Sequence, residues 1–95
     1  MLERDYQKKL VKKLKDIFPG CIVVKNDAQL KQGIPDLLVL HNNKWAALEV
    51  KQSPVASHRP NQDMYVERMN NMSYASFIYP ENEEKILSEL KEVFA

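Results

Sequence analysis

The first part of the chain carries an apolar stripe at helical spacing. Its members are Leu2, Tyr6, Leu10, Leu14, Ile17 and Phe18. Apolar residues that recur every three or four positions predict an amphipathic helix, here over residues 2–18. Pro19-Gly20 follows the stripe directly, and this pair is a typical end signal for a helix.

Two apolar runs on either side of Asn42-Asn43 predict a β-hairpin. Asparagine tolerates the positive φ angles that a two-residue hairpin turn requires. With the turn at these asparagines, Leu40 faces Trp45, and Asp36 faces Glu49 further out. Both faces of this hairpin carry apolar residues, so we expect helices to cover the sheet on both sides.

The segment before the hairpin contains a strand and a loop. Residues 21–25 predict a short buried strand, and a polar loop over residues 26–32 leads into Gly33. A glycine at this position permits a close approach of backbone, either by a second strand or by a phosphate group.

The segment after the hairpin predicts a second helix, a last strand and a third helix. Pro60 suits the first position of the second helix, and its methionines, such as Met64 and Met72, are expected to fill the core. Alternation over residues 74–79 predicts a strand that Pro80 ends. The order α-β-β-β-α-β-α predicts an α/β fold with a central mixed sheet flanked by helices.

Length and composition are those of one small globular domain over residues 1–95. The 95 residues are 44% hydrophobic and 28% charged, without repeats or low-complexity segments. The charged start lacks the features of a secretory signal, and no apolar run is long enough to span a membrane. Cys21 is the only cysteine, which excludes an internal disulfide and a cysteine-rich zinc site. These features fit a cytoplasmic setting.

The charges that sum to +1 are distributed unevenly along the chain. Residues 1–80 contain twelve Lys and Arg against eight Asp and Glu, whereas residues 81–95 contain two against five. A basic body points modestly to a polyanionic partner. The first helix carries five lysines on its polar side: Lys8, Lys9, Lys12, Lys13 and Lys15. They form either a solvated helix face, the usual role of such a run, or a surface for nucleic acid that includes Lys12.

The predicted hairpin brings two carboxylates and an ammonium group to one end of one face. Cβ atoms of directly opposite residues lie about 5 Å apart, and Lys51 is on the same face as Glu49 because side chains alternate along a strand. Facing like charges destabilise a sheet, so Asp36 and Glu49 need a compensating partner. A shared Mg²⁺ or Mn²⁺ would supply one. Alternatively, Asp36 caps the turn that begins at Pro35, and Glu49 pairs with Lys51 at a solvated strand end.

Gly33-Ile34-Pro35-Asp36 and Glu49-Val50-Lys51 together resemble the signature of the PD-(D/E)xK nuclease superfamily, and most of all its VRR-NUC branch. The order of the predicted elements is similar as well, so the resemblance covers most of the chain. It implies a restriction-endonuclease-like fold and the hydrolysis of phosphodiester bonds in DNA with Mg²⁺ or Mn²⁺.

The resemblance also implies roles for the motif residues. Asp36 and Glu49 would bind the metal together with the backbone carbonyl of Val50. Lys51 would orient the nucleophile or stabilise the transition state.

Two residues outside the motif match the family by position. Glu3 corresponds to an acidic residue of the first helix that joins the metal site in the family. Its alternatives are a favourable anion near a helix N-terminus, or Asp5 in the same role. Gln62 falls in the first turn of the second helix, where the family often has a glutamine that holds the catalytic lysine or the attacking water. Glutamine is also common on helix surfaces.

Three residues near the motif are candidates for contacts with nucleic acid. Lys31 and Gln32 lie in the polar loop before Gly33, and Arg59 lies at the entrance of the second helix, where its guanidinium could bind a phosphate. The sequence has no glycine-rich phosphate loop, so a nucleotide cofactor is not expected.

Stand-alone proteins of this size in the VRR-NUC branch resemble structure-specific endonucleases, including dimers that cut four-way (Holliday) junctions. A homodimer and a branched DNA substrate are therefore implied by the resemblance alone. Two other functions stay open: a non-catalytic domain that binds nucleic acid or protein, and the nuclease subunit of a restriction-type system. Intact Asp36, Glu49 and Lys51 argue against the first, because a decayed site would usually have lost one of them.

Overall fold

Three helices and four strands follow one another in the predicted order, α-β-β-β-α-β-α. The computed structural model describes residues 1–27 and 29–95. The elements are α1 (Glu3–Ile17), β1 (Ile22–Lys25), β2 (Leu37–His41), β3 (Lys44–Val50), α2 (Gln62–Met72), β4 (Tyr74–Ile78) and α3 (Glu83–Val93). None of the helices in these two ranges has both the length and the apolar character needed to cross a membrane.

The four strands form one mixed sheet in the order β1-β2-β3-β4. The first three are antiparallel neighbours, and β4 runs parallel to β3. A parallel pair needs a crossover connection, which here contains α2. The predicted turn of the β2–β3 hairpin is confirmed, because Asn42 and Asn43 have φ angles of 51° and 63°. The predicted register is confirmed as well, with Leu40 opposite Trp45.

The main core lies between one face of the sheet and the helices α1 and α3. Alternate residues of β2 and β3 point into it, and Leu37, Val39 and Leu48 are each at most 1% exposed. The helix residues in the same cluster include Tyr6, Leu10, Leu14, Ile86, Leu87 and Leu90. The apolar stripe of α1 therefore faces the sheet as its period predicted, except for Leu2, which is 55% exposed.

The opposite face of the sheet is covered by α2, and only over β3 and β4. Over β1 and β2 the described residues leave it open: Ile22 is 60%, Val24 39% and Leu40 37% exposed. The prediction of a buried strand at residues 21–25 is thus wrong, since β1 is an edge strand with exposed side chains. The prediction that helices cover both faces of the sheet is confirmed only for β3 and β4, because the helix that connects these two strands lies over them.

Helix α2 turns a polar residue toward the sheet. It begins at Gln62 and not at Pro60, with Asn61 in a left-handed conformation (φ 71°) at its N-cap. Met64 and Met72 are 41% and 67% exposed, so the prediction that they fill the core is wrong. Gln62 is the one fully buried residue of this helix, and it belongs to the site described next.

Candidate active site

The open end of the β2–β3 hairpin places Asp36 beside Glu49. The sheet register pairs Leu37 with Leu48, and the next positions outward are Asp36 and Glu49. The Asp36 carboxylate also accepts a hydrogen bond from the backbone N–H of Val50, at 2.9 Å. The two carboxyl groups therefore meet where the hairpin register predicted.

Asn26 holds the backbone on which Asp36 sits. Its own N–H donates to the Asp36 carbonyl at 2.8 Å, and its side-chain amide donates to the Pro35 carbonyl at 2.8 Å. Since Asn26 directly follows β1, the edge strand fixes the position of the aspartate. This fixed backbone keeps one carboxylate in place next to the other.

Glu49 is a buried acid with an unsatisfied oxygen. Its residue is 2% exposed. One carboxylate oxygen, Oε2, accepts a hydrogen bond from Gln62 Nε2 at 3.1 Å, whereas Oε1 has no hydrogen-bond partner among the described residues. Burial, followed by the negative charge of Asp36, raises the pKa of Glu49 to about 9, against a smaller opposing effect of Lys51. Without a cation, Glu49 is therefore mostly protonated at neutral pH.

Two hydrogen bonds fix the position of the Lys51 ammonium. Its residue is 6% exposed, and its ammonium donates to Gln62 Oε1 at 2.8 Å and to the Ser57 carbonyl at 3.0 Å. The distance from Nζ to Glu49 Oε2 is 4.0 Å. An ammonium group has three N–H donors, so one of them remains for a further acceptor in front of the site.

Gln62 connects the lysine to the glutamate. Its Oε1 accepts from Lys51 and from the backbone N–H of Arg59, at 2.8 and 2.9 Å, while its Nε2 donates to Glu49. Because lysine can only donate, the amide has one orientation that satisfies all three contacts. Gln62 thus lies in the first turn of α2 in contact with Lys51, which is the contact that its predicted role requires.

The loop between β3 and α2 is fastened to the sheet by His58. Its ring stacks on Phe77 of β4, with ring centroids 4.3 Å apart, and its Nδ1 lies 2.9 Å from an Asp63 carboxylate oxygen. The neighbouring residue, Ser57, supplies the carbonyl that accepts from Lys51. No role for His58 follows from the sequence, because neither Phe77 nor the carbonyl contact can be inferred from spacing.

Gly33 allows the loop before β2 to lie against the entrance of α2. Its φ is +90°, and a Cβ atom at this position would lie 2.7 Å from the Asn61 Cβ and 2.9 Å from the Pro60 carbonyl oxygen. The close backbone approach predicted at Gly33 is present, but the approaching segment is the α2 entrance and not a second strand or a phosphate. This contact sets the position of Arg59 and Gln62 relative to Asp36.

A cleft of about 400 Å³ lies at this end of the sheet. All five residues that were predicted to be catalytic line it: Glu3, Asp36, Glu49, Lys51 and Gln62. The charge of Glu3 contributes to the raised pKa of Glu49, so the first residue of α1 is close enough to act on the carboxylate pair. Asp5, the alternative to Glu3, is exposed and is not part of the cleft wall.

The residues predicted to contact nucleic acid are distributed unevenly around the cleft. Arg59 lines both the cleft and an adjacent depression to which Gln32 belongs. The Lys31 ammonium lies 5.6 Å from the centre of the Tyr65 ring, a distance typical of a cation–π contact. Lys12 is exposed on α1 and lines neither surface.

Several cleft residues were not predicted from the sequence. They are Arg4, Gln7, Lys25, Gln52, Ala56 and Ser57. Helical spacing puts Arg4 and Gln7 next to Glu3, which is a usable signal. Lys25 is different: it pairs with Leu37 across β1 and β2, and the long connection between these strands hides that register in the sequence.

The donor set at the floor of the cleft fits a hard divalent cation. The described residues contain no group of three or more His, Cys, Asp and Glu side chains arranged around one point. Mg²⁺ commonly takes one or two carboxylates and completes its shell with waters and substrate oxygens. The unpaired, buried Oε1 of Glu49 beside Asp36 matches this need. Val50, the third predicted ligand, borders the pair through its bond to Asp36.

No protein-family model matches this chain, and a search of curated proteins finds no match to it. The resemblance to the PD-(D/E)xK nucleases therefore rests on the motif residues, the hairpin and the order of the elements.

Proposed function

We propose that this protein is a nuclease of the PD-(D/E)xK type that hydrolyses phosphodiester bonds in DNA with Mg²⁺ or Mn²⁺. One observation carries the proposal: a buried glutamate with an unpaired oxygen stands beside a second carboxylate, and a buried lysine is tied to it through Gln62. Such an arrangement lowers the stability of the metal-free fold, because two close carboxyl groups must share a dry site. A bound divalent cation would remove this cost.

In this proposal each side chain of the cleft has a defined task. Asp36 and Glu49 would hold the cation with the Val50 carbonyl, and Glu3 would add negative charge to the site. The cation supplies charge neutralisation at the phosphate and lowers the pKa of a bound water. The free N–H of Lys51 donates to a phosphoryl oxygen or to the attacking water, where a fixed ammonium stabilises developing negative charge.

The residues that hydrogen-bond to Lys51 and Glu49 fix the positions of these two side chains. Gln62 and the Ser57 carbonyl keep the Lys51 ammonium in one place, so that it need not reorganise during the reaction. Gln62 also keeps Glu49 Oε2 occupied, which leaves the unpaired Oε1 available for a cation.

Branched DNA and a homodimer form part of the proposal through the family resemblance. The described residues contain one carboxylate pair of this kind, and symmetric cleavage of two strands requires two. A two-fold dimer supplies the second site without additional sequence. A net charge of +1 does not favour tight non-specific binding, so the shape of the substrate would contribute to selection.

A substrate panel tests the proposal directly. The purified protein is incubated with four-way junctions, flaps, single strands and linear duplexes, in Mg²⁺, Mn²⁺ or EDTA. We expect cleavage with either metal, none in EDTA, and faster nicking of the junction than of a linear duplex. Glu49→Gln, purified identically, controls for contaminating nucleases, and Glu67→Gln on the exposed side of α2 is the matched charge control.

The outcomes separate the alternatives. Metal-dependent binding of DNA without any cleavage by the folded protein would favour a non-catalytic nucleic-acid-binding domain. Equal cleavage by the wild-type protein and Glu49→Gln would exclude the proposed site as the source of activity. Light scattering at the assay concentration checks the dimer, for which we expect twice the mass of one chain.

A further inference from the structure

Three cationic residues of the cleft wall have no acidic partner among the described residues. Arg4, Lys25 and Arg59 are exposed and line the cleft. The ion pairs formed by residues 1–27 and 29–95 involve Lys13, Lys51 and His58 instead. The acidic residues of the same cleft are Glu3, Asp36 and Glu49, yet the three cations are not paired with them. They are therefore available to an anion from outside.

The three cations are placed on two sides of Asp36. One depression next to the cleft is formed by Lys25, Asn26, Asp27 and Asp36. Another is formed by Arg59 with Gln29, Gln32, Gly33, Ile34, Asp36 and Gln62. Asp36 is common to both depressions, whereas Lys25 lines the first and not the second, and Arg59 lines the second and not the first. The surface thus continues from the carboxylate pair in two directions, with a cation along each.

Arg4 belongs to the Lys25 side by its place in the fold. It lies in the first turn of α1, and its near neighbour on that helix, Gln7, shares a further depression with Lys25 and Leu37. A guanidinium presents a planar fork that matches phosphate oxygens, and lysine adds a compact point charge. Arg4 of α1 and Lys25 of β1 thus supply one group of each kind to the wall of the cleft.

We propose that Arg4 and Lys25 form a phosphate-binding subsite for the nucleic-acid strand on the β1 side of the carboxylate pair. Arg59 holds the strand on the other side, so the strand crosses Asp36 between Lys25 and Arg59. This inference rests on the proposed nuclease function, and it names the path of the substrate. Neither Arg4 nor Lys25 is a predicted metal ligand, so loss of the subsite should lower DNA affinity and leave metal binding intact.

Equilibrium binding in EDTA isolates the subsite from catalysis. Fluorescence anisotropy with a labelled four-way junction measures the affinity at several salt concentrations. We expect the double variant Arg4→Ala/Lys25→Ala to bind at least tenfold more weakly at low salt. The slope of log affinity against log salt should become shallower by about 0.9 for each phosphate that the variant no longer neutralises. Lys85→Ala/Lys91→Ala on α3 removes the same charge outside the cleft and should change affinity less than twofold.

Two additional measurements identify the cause of a weaker affinity. Lys25→Arg preserves the charge and should retain most of the affinity. Calorimetric titration with Mn²⁺ should give the same affinity for Arg4→Ala/Lys25→Ala and the wild-type protein. Both side chains are exposed, and circular dichroism verifies that the variants are folded.

The results distinguish a failure of the subsite from a failure of the nuclease proposal. If the wild-type protein cleaves DNA and the double variant binds it like the α3 control, the subsite is wrong and the nuclease stands. If the double variant binds more weakly but no metal supports cleavage, the phosphate subsite stands and the nuclease is wrong. Absence of any DNA binding by the wild-type protein would overturn both.

Discussion

Replacement of Glu49 by glutamine should stabilise the metal-free protein. Glu49→Gln keeps the size and the oxygen that accepts from Gln62 Nε2, and its side chain is neutral at every pH. What disappears is the ionisation of this residue in the unfolded chain. The free energy of unfolding should therefore rise at neutral pH, although the replaced residue is a predicted metal ligand.

The magnitude follows from proton linkage. The pKa of Glu49 is raised from 4.5 to about 9 by burial and by Asp36. A carboxyl group with a raised pKa in the folded state contributes full stability below its unfolded pKa and loses it as the pH rises toward the folded value. Each pH unit in this window amounts to about 1.4 kcal/mol. The advantage of Glu49→Gln should thus grow from below about 1 kcal/mol at pH 5 to about 4 kcal/mol at pH 7.5.

Urea unfolding in EDTA at pH 5, 6, 7 and 8 measures this difference. Titrations of residues that do not interact with Glu49 occur in both proteins and cancel in the comparison. Glu67→Gln on α2 replaces an exposed acid and should stay within about 0.5 kcal/mol of the wild-type protein at every pH. Addition of Mn²⁺ should reverse the order, because the cation stabilises only the protein that binds it.

A constant difference between Glu49→Gln and the wild-type protein from pH 5 to pH 8 would refute the reasoning. It would mean that Glu49 is ionised in the metal-free fold. Oε1 of Glu49 would then have a hydrogen-bond partner in solution. A cation would no longer be needed to explain why two carboxylates lie side by side.

Three further predictions concern the same region. Below about pH 9, the affinity for Mn²⁺ measured by calorimetry should rise by up to about tenfold per pH unit, because binding displaces the Glu49 proton; a flat profile would contradict this. Lys51→Ala should abolish DNA cleavage in gel assays with Mn²⁺ while its DNA affinity stays nearly unchanged, whereas a proportional fall in DNA affinity would make the lysine a phosphate anchor. Gly33→Ala should lower the free energy of unfolding by about 2–4 kcal/mol through collision with Asn61 and backbone strain. Gly20 has a similar φ but open space around it, so Gly20→Ala should lower the free energy of unfolding by about 1 kcal/mol in the same urea experiment. Equal losses for the two variants would show that the contact of Gly33 with Asn61 can accommodate a methyl group.

The parts of the site that were predictable are those set by local rules. Asn42 and Asn43 define a two-residue turn, and this turn alone determines which residues of β2 and β3 are opposite. Side-chain alternation then places Lys51 with Glu49. The element order follows from periodicity in the same way, which is why the order of helices and strands was predicted correctly.

The parts that were not predictable depend on contacts between distant segments. Lys25 enters the cleft through the pairing of β1 with β2, and the connection between these strands carries no turn signal that fixes a register. The exposure of β1 and of Met64 likewise depends on where α2 lies. An apolar pattern indicates which face of an element is hydrophobic, but it does not show which other element packs on that face. His58 shows the same limit, because its partner Phe77 belongs to the last strand.

The parallel pairing of β4 with β3 has a consequence for how the protein is made. Contacts within β1, β2 and β3 are near in sequence, so this meander can form early during folding. The Lys51 amide, however, donates to the Ile78 carbonyl at 2.9 Å, and His58 rests on Phe77. Both contacts have to wait until the ribosome has released β4 and α2 has crossed over. The carboxylate pair can therefore assemble on a nascent chain before the lysine acquires its final position, and under the proposed function cleavage would wait until β4 has joined the sheet.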